Sequence, residues 1–229
     1  MTLRFQDFPA AEAVTPAVVS AVPHRAPYGF YRRGLKRAFD LCAVLMAVPV
    51  VVPLIGGLAL VVAASGGQAF YTQHRVGMGG RTFRMWKLRS MVRDADALME
   101  AHLAADPAAR AEWDATQKLK NDPRITRLGR FLRRSSLDEL PQLWNVVTGD
   151  MSLVGPRPMM LNQREMYPGT AYYALRPGIT GLWQTAGRNR TTFAARGEFD
   201  AAYEADVTLK NDLSILWRTV NVVLNATGY

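Results

Sequence analysis

The stretch Arg133-Arg-Ser-Ser-Leu-Asp-Glu-Leu-Pro-Gln-Leu143 sets two neighbouring carboxylates, Asp138 and Glu139, at the start of an apolar-periodic run and just after two arginines. Two readings of that spacing stand. In the first, the acids belong to an ordinary helix start. Ser136 and Glu139 have capping-box spacing, and acidic side chains suit the positive end of a helix. In the second, the same helix end is a phosphate seat, because its free N–H groups and positive potential attract anions. An aspartate that stays ionised there can attack phosphorus and form an aspartyl phosphate. The adjacent glutamate can hold Mg²⁺, which takes a few carboxylates plus phosphate oxygens and reduces repulsion between an anionic nucleophile and an anionic substrate.

Arginines are supplied in the right kind of setting. Arg157 lies between prolines in Gly155-Pro-Arg-Pro158, Arg176 opens Arg176-Pro-Gly-Ile-Thr-Gly181, and Arg188 follows Gly187. A guanidinium binds phosphate bidentately. One exposed arginine is ordinary; several in Pro- and Gly-constrained loops point to a site. Other chemistries find little support. There is no GxxxxGK[ST] loop and no GxGxxG after a strand. One cysteine, Cys42, excludes a disulfide framework, and three scattered histidines, His24, His74 and His102, argue against zinc. Asp94-Ala-Asp96 has a DxD pattern but lies in a run that reads as solvated helix. Asn189-Arg-Thr191 and Asn225-Ala-Thr227 match the glycosylation triplet, a frequent chance match.

These residues need a scaffold. The chain has 229 residues, 49% hydrophobic and 21% charged, which excludes a disordered chain. Its 28 basic and 19 acidic residues give net +9, which predicts an anionic partner: nucleic acid, a phosphorylated small molecule or an acidic membrane surface. No charged residue occurs between Asp40 and Arg75, and Leu41 to Ala64 is almost wholly apolar. That run is long enough to span a bilayer, for which about 20 residues suffice. It starts too deep for a signal peptide and lacks a clear cleavage site. A buried core helix is the alternative, although such helices rarely lack a polar face over this length.

Two features favour a re-entrant hairpin over a span. Pro49 and Pro53 sit mid-segment before Gly56-Gly57, where a kink is expected. Both flanks are basic: Arg32, Arg33, Lys36 and Arg37 before the run, and Arg75, Arg81, Arg84, Lys87 and Arg89 after it. One crossing cannot put both flanks on the cytoplasmic side; a segment that dips in, bends and returns can. Asp40 stands at the rim, with Lys36 and Arg37 within helical reach. It reads either as part of a charge cluster that fixes the depth of entry or as a solvated helix start.

Along the chain, residues 1–28 read as a mobile tail, 29–68 as a basic approach helix with the re-entrant membrane helix, and 69–229 as a cytoplasmic catalytic domain. Ala69-Phe-Tyr-Thr-Gln73 and Thr82-Phe-Arg-Met-Trp-Lys-Leu-Arg89 alternate like two short strands around a turn at Gly77-Met-Gly-Gly80. Residues 91–118 read as two helices broken near Asp106-Pro107, with further helices at about 124–134 and 137–147. Residues 196–224 read as helical, with Leu213, Leu216, Trp217, Val220 and Leu224 on one face. That face could lie in the lipid interface or pack on the domain. The fold class expected is α+β and predominantly helical: a monotopic membrane protein with a re-entrant helix hairpin, a short β-hairpin and interfacial amphipathic helices.

The same stretches resemble a known family. Lys36-Arg-Ala-Phe-Asp40, Phe83-Arg-Met-Trp-Lys-Leu-Arg-Ser-Met91, Asn121-Asp-Pro-Arg-Ile-Thr126, Ser136-Leu-Asp-Glu-Leu-Pro-Gln-Leu143, Gly149-Asp-Met-Ser-Leu-Val-Gly-Pro-Arg-Pro158, Arg176-Pro-Gly-Ile-Thr-Gly-Leu-Trp-Gln184 and Gly187-Arg-Asn189 follow one another as in the bacterial sugar transferases. These are also called polyprenyl-phosphate hexose-1-phosphate transferases or monotopic phosphoglycosyl transferases. The short N-terminal tail and the Ala-Thr-Gly-Tyr end look like the small members that start exopolysaccharide synthesis.

The resemblance implies transfer of a hexose-1-phosphate from a UDP-hexose, glucose or galactose, to undecaprenyl phosphate with release of UMP, through a covalent phosphosugar. It implies Asp138 as nucleophile, Glu139 as Mg²⁺ ligand and Arg157 as a phosphate contact. It adds Lys87, Arg89 and Asp200 to the substrate-binding set, beside Arg176, Arg188 and Asn189, and puts the membrane bend at Pro53. Val52 stands where some members have serine, so Pro49 can share that bend. The location implied is the bacterial inner membrane with the catalytic domain on its cytoplasmic face; a homodimer stays open. A membrane-anchored scaffold is the competing class, opposed by the intact Asp138-Glu139 pair. A nucleic-acid binder is opposed by the apolar segment and the lack of a binding motif.

Overall fold

A computed structural model describes residues 29–116, 119–186 and 193–224. Lys36–Ala64 forms one helix, α1, entered through a π-helical turn at Tyr31–Leu35. Its middle is apolar and bare: Leu45, Met46 and Val50 are each more than 70% exposed. Bare side chains of this kind belong against a nonpolar medium, and the helix is long and apolar enough to cross a membrane. Helical bonding continues through Pro49 and Pro53, so the expected hairpin is not drawn as two helices. A straight helix of this length would measure about 44 Å. Yet both of its ends engage the globular part. Near the start, Asp40 accepts from Ser152 Oγ (2.7 Å) and the Leu153 N–H (3.2 Å). Val44 packs with Phe83, Met85, Val146 and Met151. Near the end, Val62 packs with Leu88 and Leu132.

The hairpin predicted from alternation is present. β1 (Phe70–Val76) pairs antiparallel with β2 (Thr82–Leu88) in a register that sets Gln73 opposite Met85, and a short turn at Met78–Gly80 joins them. Side chains alternate across β2, so Phe83 and Met85 meet the start of α1 while Leu88 meets its end. α2 (Ala95–Ala105) and α3 (Pro107–Thr116) separate at the expected place. Asp106 Oδ1 there takes the N–H groups of Ala108 and Ala109 (2.9 and 3.1 Å).

α4 (Arg127–Arg134) begins later than the sequence suggests, because Thr126 caps it by accepting from the Gly129 N–H (2.8 Å). A Cβ at Gly129 would fall 1.8 Å from the Ser90 carbonyl, so only glycine lets α4 approach the chain leaving β2. The expected helix at 137–147 is instead a single 3-10 turn, Leu137–Glu139, followed by α5 (Gln142–Thr148). β3 (Ser152–Val154) and β4 (Gly178–Thr180) make a small parallel sheet. Gly155 and Gly178 close its end, each with no room for a Cβ.

After α6 (Leu182–Ala186), the C-terminal stretch divides into α7 (Arg196–Ala205) and α8 (Leu209–Leu224) rather than running as one helix. The anticipated stripe is also rearranged. Ile215 and Leu216 face the core with Val154, Leu175, Tyr203 and Val207, while Leu209, Leu213, Trp217 and Val220 stand exposed. The side chain of Leu224 lies outside the described residues.

Asp212 is fully buried and accepts from Tyr31 Oη (2.7 Å), Tyr203 Oη (2.6 Å) and Lys36 Nζ (2.7 Å). It ties the entry to α1 onto α8. Asp212→Ala would strand the Tyr31 hydroxyl, leave Tyr203 only its longer bond to the Val154 carbonyl (3.2 Å) and take away the carboxylate that Lys36 pairs with. The expected cost is about 3–5 kcal/mol, read as a large drop in melting temperature; an unchanged melt would mean the network does not form.

Candidate active site

Ser136 is the only non-glycine residue with positive φ (57°) among the described residues. That conformation costs about 1–2 kcal/mol for a residue with a side chain. It reverses the chain after α4 and starts the 3-10 turn that carries both acids. Ser136 makes no side-chain cap, so the capping box inferred from spacing does not form.

The turn presents Asp138 and Glu139 to β2. Lys87 Nζ lies 2.8 Å from Glu139 Oε1 and 3.6 Å from Asp138 Oδ2. The strand is held in place by Asn145 of α5, whose Oδ1 accepts from the Trp86 N–H (3.0 Å) and whose Nδ2 donates to the Arg84 carbonyl (2.8 Å). A single buried amide thus sets the position of Lys87 relative to the acids.

The two carboxyls are tuned apart. Asp138 is nearly buried, with 8% of its side chain exposed, and burial pushes its pKa up. Glu139 repulsion adds to this, while Lys87 and Arg133 oppose it. For Glu139, burial also pulls upward, but Lys87, Arg157 and Arg75 prevail and hold it at about 2. Glu139 keeps 24% of its side chain exposed. It is therefore the acid that remains charged and open, while Asp138 is the one nearly withdrawn from water.

Any reaction that needs ionised Asp138 should fail as pH drops through a midpoint above the ordinary aspartate value. Glu139 stays ionised across that range. Single-turnover kinetics against pH checks this; an acid limb at or below the ordinary aspartate value would contradict the burial argument.

Around the pair lie further groups. Arg75 at the end of β1 donates from Nη1 to the Pro158 carbonyl (3.4 Å) and from Nη2 to Gln73 Oε1 (2.5 Å). Arg157 is exposed, with Cζ 6.0 Å above the Trp183 ring. Arg196 at the start of α7 stacks on Trp183 at 4.2 Å and on Phe193 at 4.8 Å. Asp200 on α7 accepts from Tyr167 Oη (2.8 Å). Burial raises Asp200 to about 7 against the pull of Tyr167 and Arg196.

The residues singled out from sequence therefore fall into groups. Asp138, Glu139, Lys87 and Arg157 come together, and Asp200 reaches the same rim through its interaction with Arg196. Arg89 turns away and binds the end of α1, donating to the Val62 carbonyl (3.1 Å) and Ser65 Oγ (3.2 Å). Arg176 donates from Nε to the Gly149 carbonyl (3.0 Å) and so joins two loops. Arg188 and Asn189 lie outside the described residues. Tyr167, Trp183 and Arg196 carry no site role in the sequence reading, where Arg75 stands only as a basic flank residue and Arg133 only as an arginine before the acids. Arg133 donates from Nε to Ser90 Oγ (2.8 Å), which joins α4 to the end of β2.

Among the described residues, no group of three or more Asp, Glu, His or Cys side chains could cage a metal. The Asp138-Glu139 pair still suits Mg²⁺, which binds through one or two carboxylates and completes its shell with water and phosphate oxygens.

Comparison with known proteins adds the following. A family model described as bacterial sugar transferase matches residues 31–226. The chain is 49% identical over 198 residues to the UDP-galactose-lipid carrier transferase of Erwinia amylovora, covering 86% of this chain and 42% of that one. It is 48% identical over 198 residues to the undecaprenyl-phosphate galactose phosphotransferase of Salmonella typhimurium, with the same coverage of 86% and 42%. To the exopolysaccharide production protein ExoY of Rhizobium meliloti it is 43% identical over 196 residues, covering 84% of this chain and 87% of ExoY. The chain thus spans about two fifths of the length of the first two relatives (42%) and most of the third (87%).

Proposed function

The chain belongs to the bacterial sugar transferase family, and from that premise we propose that it moves a hexose-1-phosphate from a UDP-sugar to undecaprenyl phosphate, with release of UMP. The observation that carries this reading is the Asp138-Glu139 pair bridged by Lys87 at 3.6 and 2.8 Å. One acid is nearly dry and the other open and firmly ionised, on the edge of an arginine-rich rim.

In the first half-reaction an Asp138 carboxylate oxygen attacks the sugar-bearing phosphorus. The anhydride P–O bond breaks, and its electron pair leaves on the phosphate of UMP. In the second, an oxygen of undecaprenyl phosphate attacks the same phosphorus and the Asp138 carboxylate is restored. No proton or electron is required from outside. Lys87 and Arg157 offset the charge that gathers as two anions meet. Glu139, with Asp138 beside it, would hold Mg²⁺, which supplies Lewis-acid polarisation of the phosphoryl oxygens. Asp200, by its Tyr167 hydrogen bond, keeps a charge-balancing group beside Arg196.

The chemistry joins a water-soluble nucleotide to a lipid, so the acids must sit at headgroup depth. Three observations support a re-entrant α1 that sets this depth from the cytoplasmic face of the inner membrane. Both flanks are basic. The middle of α1 is exposed. Both ends dock on the same globular part, through Asp40 and Val44 at one end and Val62 at the other.

Topology can be read by labelling Arg33→Cys and Gln68→Cys in a Cys42→Ala background. Both positions should react from the cytoplasmic side. Replacing Pro49 and Pro53 together by alanine should send a substantial fraction across the membrane; two cytoplasmic flanks in that variant as well would remove the prolines from the account.

The central test uses purified protein in nanodiscs with UDP-galactose or UDP-glucose, undecaprenyl phosphate and Mg²⁺. UMP should appear, chelation with EDTA should stop its release, and added Mg²⁺ should restore it. Release of UDP would point to plain sugar transfer and overturn the reading. The relatives named for galactose and undecaprenyl phosphate make UDP-galactose the first donor to try.

A further inference from the structure

Three guanidinium groups, Arg75, Arg157 and Arg196, lie close enough to repel one another, and none has a carboxylate within ion-pair distance among the described residues, Asp200 acting on Arg196 from further off. They come from β1, from the loop after β3 and from the start of α7. Arg75 reaches the carbonyl of Pro158, the residue next to Arg157. Arg157 and Arg196 share one aromatic ring, with their Cζ atoms 6.0 and 4.2 Å from the Trp183 centroid. Stacking fixes the plane of a guanidinium but leaves its N–H edge free to bind. Two of the nitrogens, Arg75 Nε and Arg196 Nε, are buried and have no hydrogen-bond partner among the described residues.

Buried donors without acceptors are rare and costly, and like charges brought together add to the cost. Burial first, and then Arg157, pull both Arg75 and Arg196 down to about 10, so both remain cationic at neutral pH. The chemistry that satisfies such a cluster is a compact dianion with several acceptor oxygens, and guanidinium forks match phosphate geometry. Size favours a terminal phosphate over a carboxylate, since three donors from three directions need more than two oxygens.

We infer that Arg75, Arg157 and Arg196 form a single seat for a phosphomonoester dianion, filled first by the phosphate of UMP as it departs and then by the head of the incoming undecaprenyl phosphate. The inference rests on the phosphosugar-transfer reading above. UMP and the lipid are alike at this end: each carries one ester bond and two negative charges. Storage of the phosphosugar on Asp138 lets one leave before the other enters. The lipid phosphate then lies beside the phosphorus it attacks. The new P–O bond forms as the carboxylate–phosphorus bond breaks, and the electron pair returns to Asp138.

Product inhibition of the full-length protein in nanodiscs separates one seat from two. With one seat, UMP competes with undecaprenyl phosphate and is noncompetitive against the UDP-sugar. With separate seats the pattern reverses, and the inference is overturned. Direct binding supplies the second arm, in an Asp138→Asn background that cannot react. UMP and a short-chain polyprenyl phosphate should displace one another in calorimetric titration. Adding Arg196→Gln should weaken both by about tenfold to a hundredfold, and Arg196→Lys, which keeps charge but loses the planar stack, should recover part of the loss.

Equal affinities in Arg196→Gln and its parent overturn the seat. If Arg196→Gln lowers the melting temperature, Arg75→Gln is read in the same titrations and decides by the same criterion. The two proposals fail separately. No UMP release by the unmodified protein sinks the transferase reading. UMP release with UMP affinity indifferent to both arginine variants sinks the seat alone.

Discussion

Asp138→Asn should lower turnover by a factor on the order of 10⁴ or more, the scale seen when a covalent nucleophile is removed. The variant should also show no phosphosugar adduct by intact mass after incubation with UDP-sugar and Mg²⁺. The amide has nearly the same shape as the carboxylate, so loss of the fold is not the expected cause. The sign of the pKa shift sharpens this. The folded-state pKa of Asp138 is raised by burial, so the charged form is disfavoured in the folded protein relative to the unfolded chain. Its cost to stability is present above the folded pKa and vanishes as pH falls toward the unfolded value. Asp138→Asn should therefore melt no lower than the parent at pH 8, and any gain should shrink as the pH is lowered. An adduct that survives the substitution would move the nucleophile elsewhere.

Lys87→Met is the second large effect. Its ammonium is the only side-chain cation within ion-pair distance of both acids among the described residues. Without it, two carboxylates share a poorly solvated turn, and like charges so placed raise the proton affinity of at least one. Asp138 is the more buried, so it should take the proton. The rate of adduct formation at pH 7.5 should fall by about 10² to 10³, as when a charge-stabilising donor is removed from a catalytic site. The acid limb should move to higher pH than in the parent. Lys87→Arg should retain the limb but not the full rate, because the bulkier planar guanidinium cannot take up the compact ammonium's position, 2.8 Å from Glu139 and 3.6 Å from Asp138. A Lys87→Met protein with the parent's pH profile would place Lys87 outside the site.

Part of this site can be read from the chain because adjacency survives folding. Asp138 and Glu139 are neighbours in any conformation, and the apolar run of α1 needs no tertiary knowledge to be noticed. What the spacing misjudges is local backbone. Ser136 and Glu139 stand at capping-box separation, but Ser136 turns left-handed to reverse the chain after α4, and the cap is lost. Pro141 likewise stands between the turn that carries the acids and α5.

Arg89 is two residues beyond Lys87, so alternation would put both on one face. β2 ends at Leu88, however, and Arg89 leaves the sheet to bind the end of α1. Arg75 is hidden for the opposite reason. It reads as one more basic residue at a strand end, and only the contact between β1 and the Pro158 loop brings it to Arg157. Trp183 and Arg196 look unremarkable apart because their value lies in a ring shared with Arg157.

Asp212 has a bearing on the order of assembly. Its partner Tyr31 lies 181 positions earlier and Lys36 176 positions earlier, so the clasp joins segments far apart in the sequence. During synthesis the greasy segment leaves the ribosome long before the aspartate that will clasp its root has been made. For most of translation α1 must therefore find lipid or a chaperone by itself. The root of α1 can be fastened only once α8 has been made, with Asp212 as the latch.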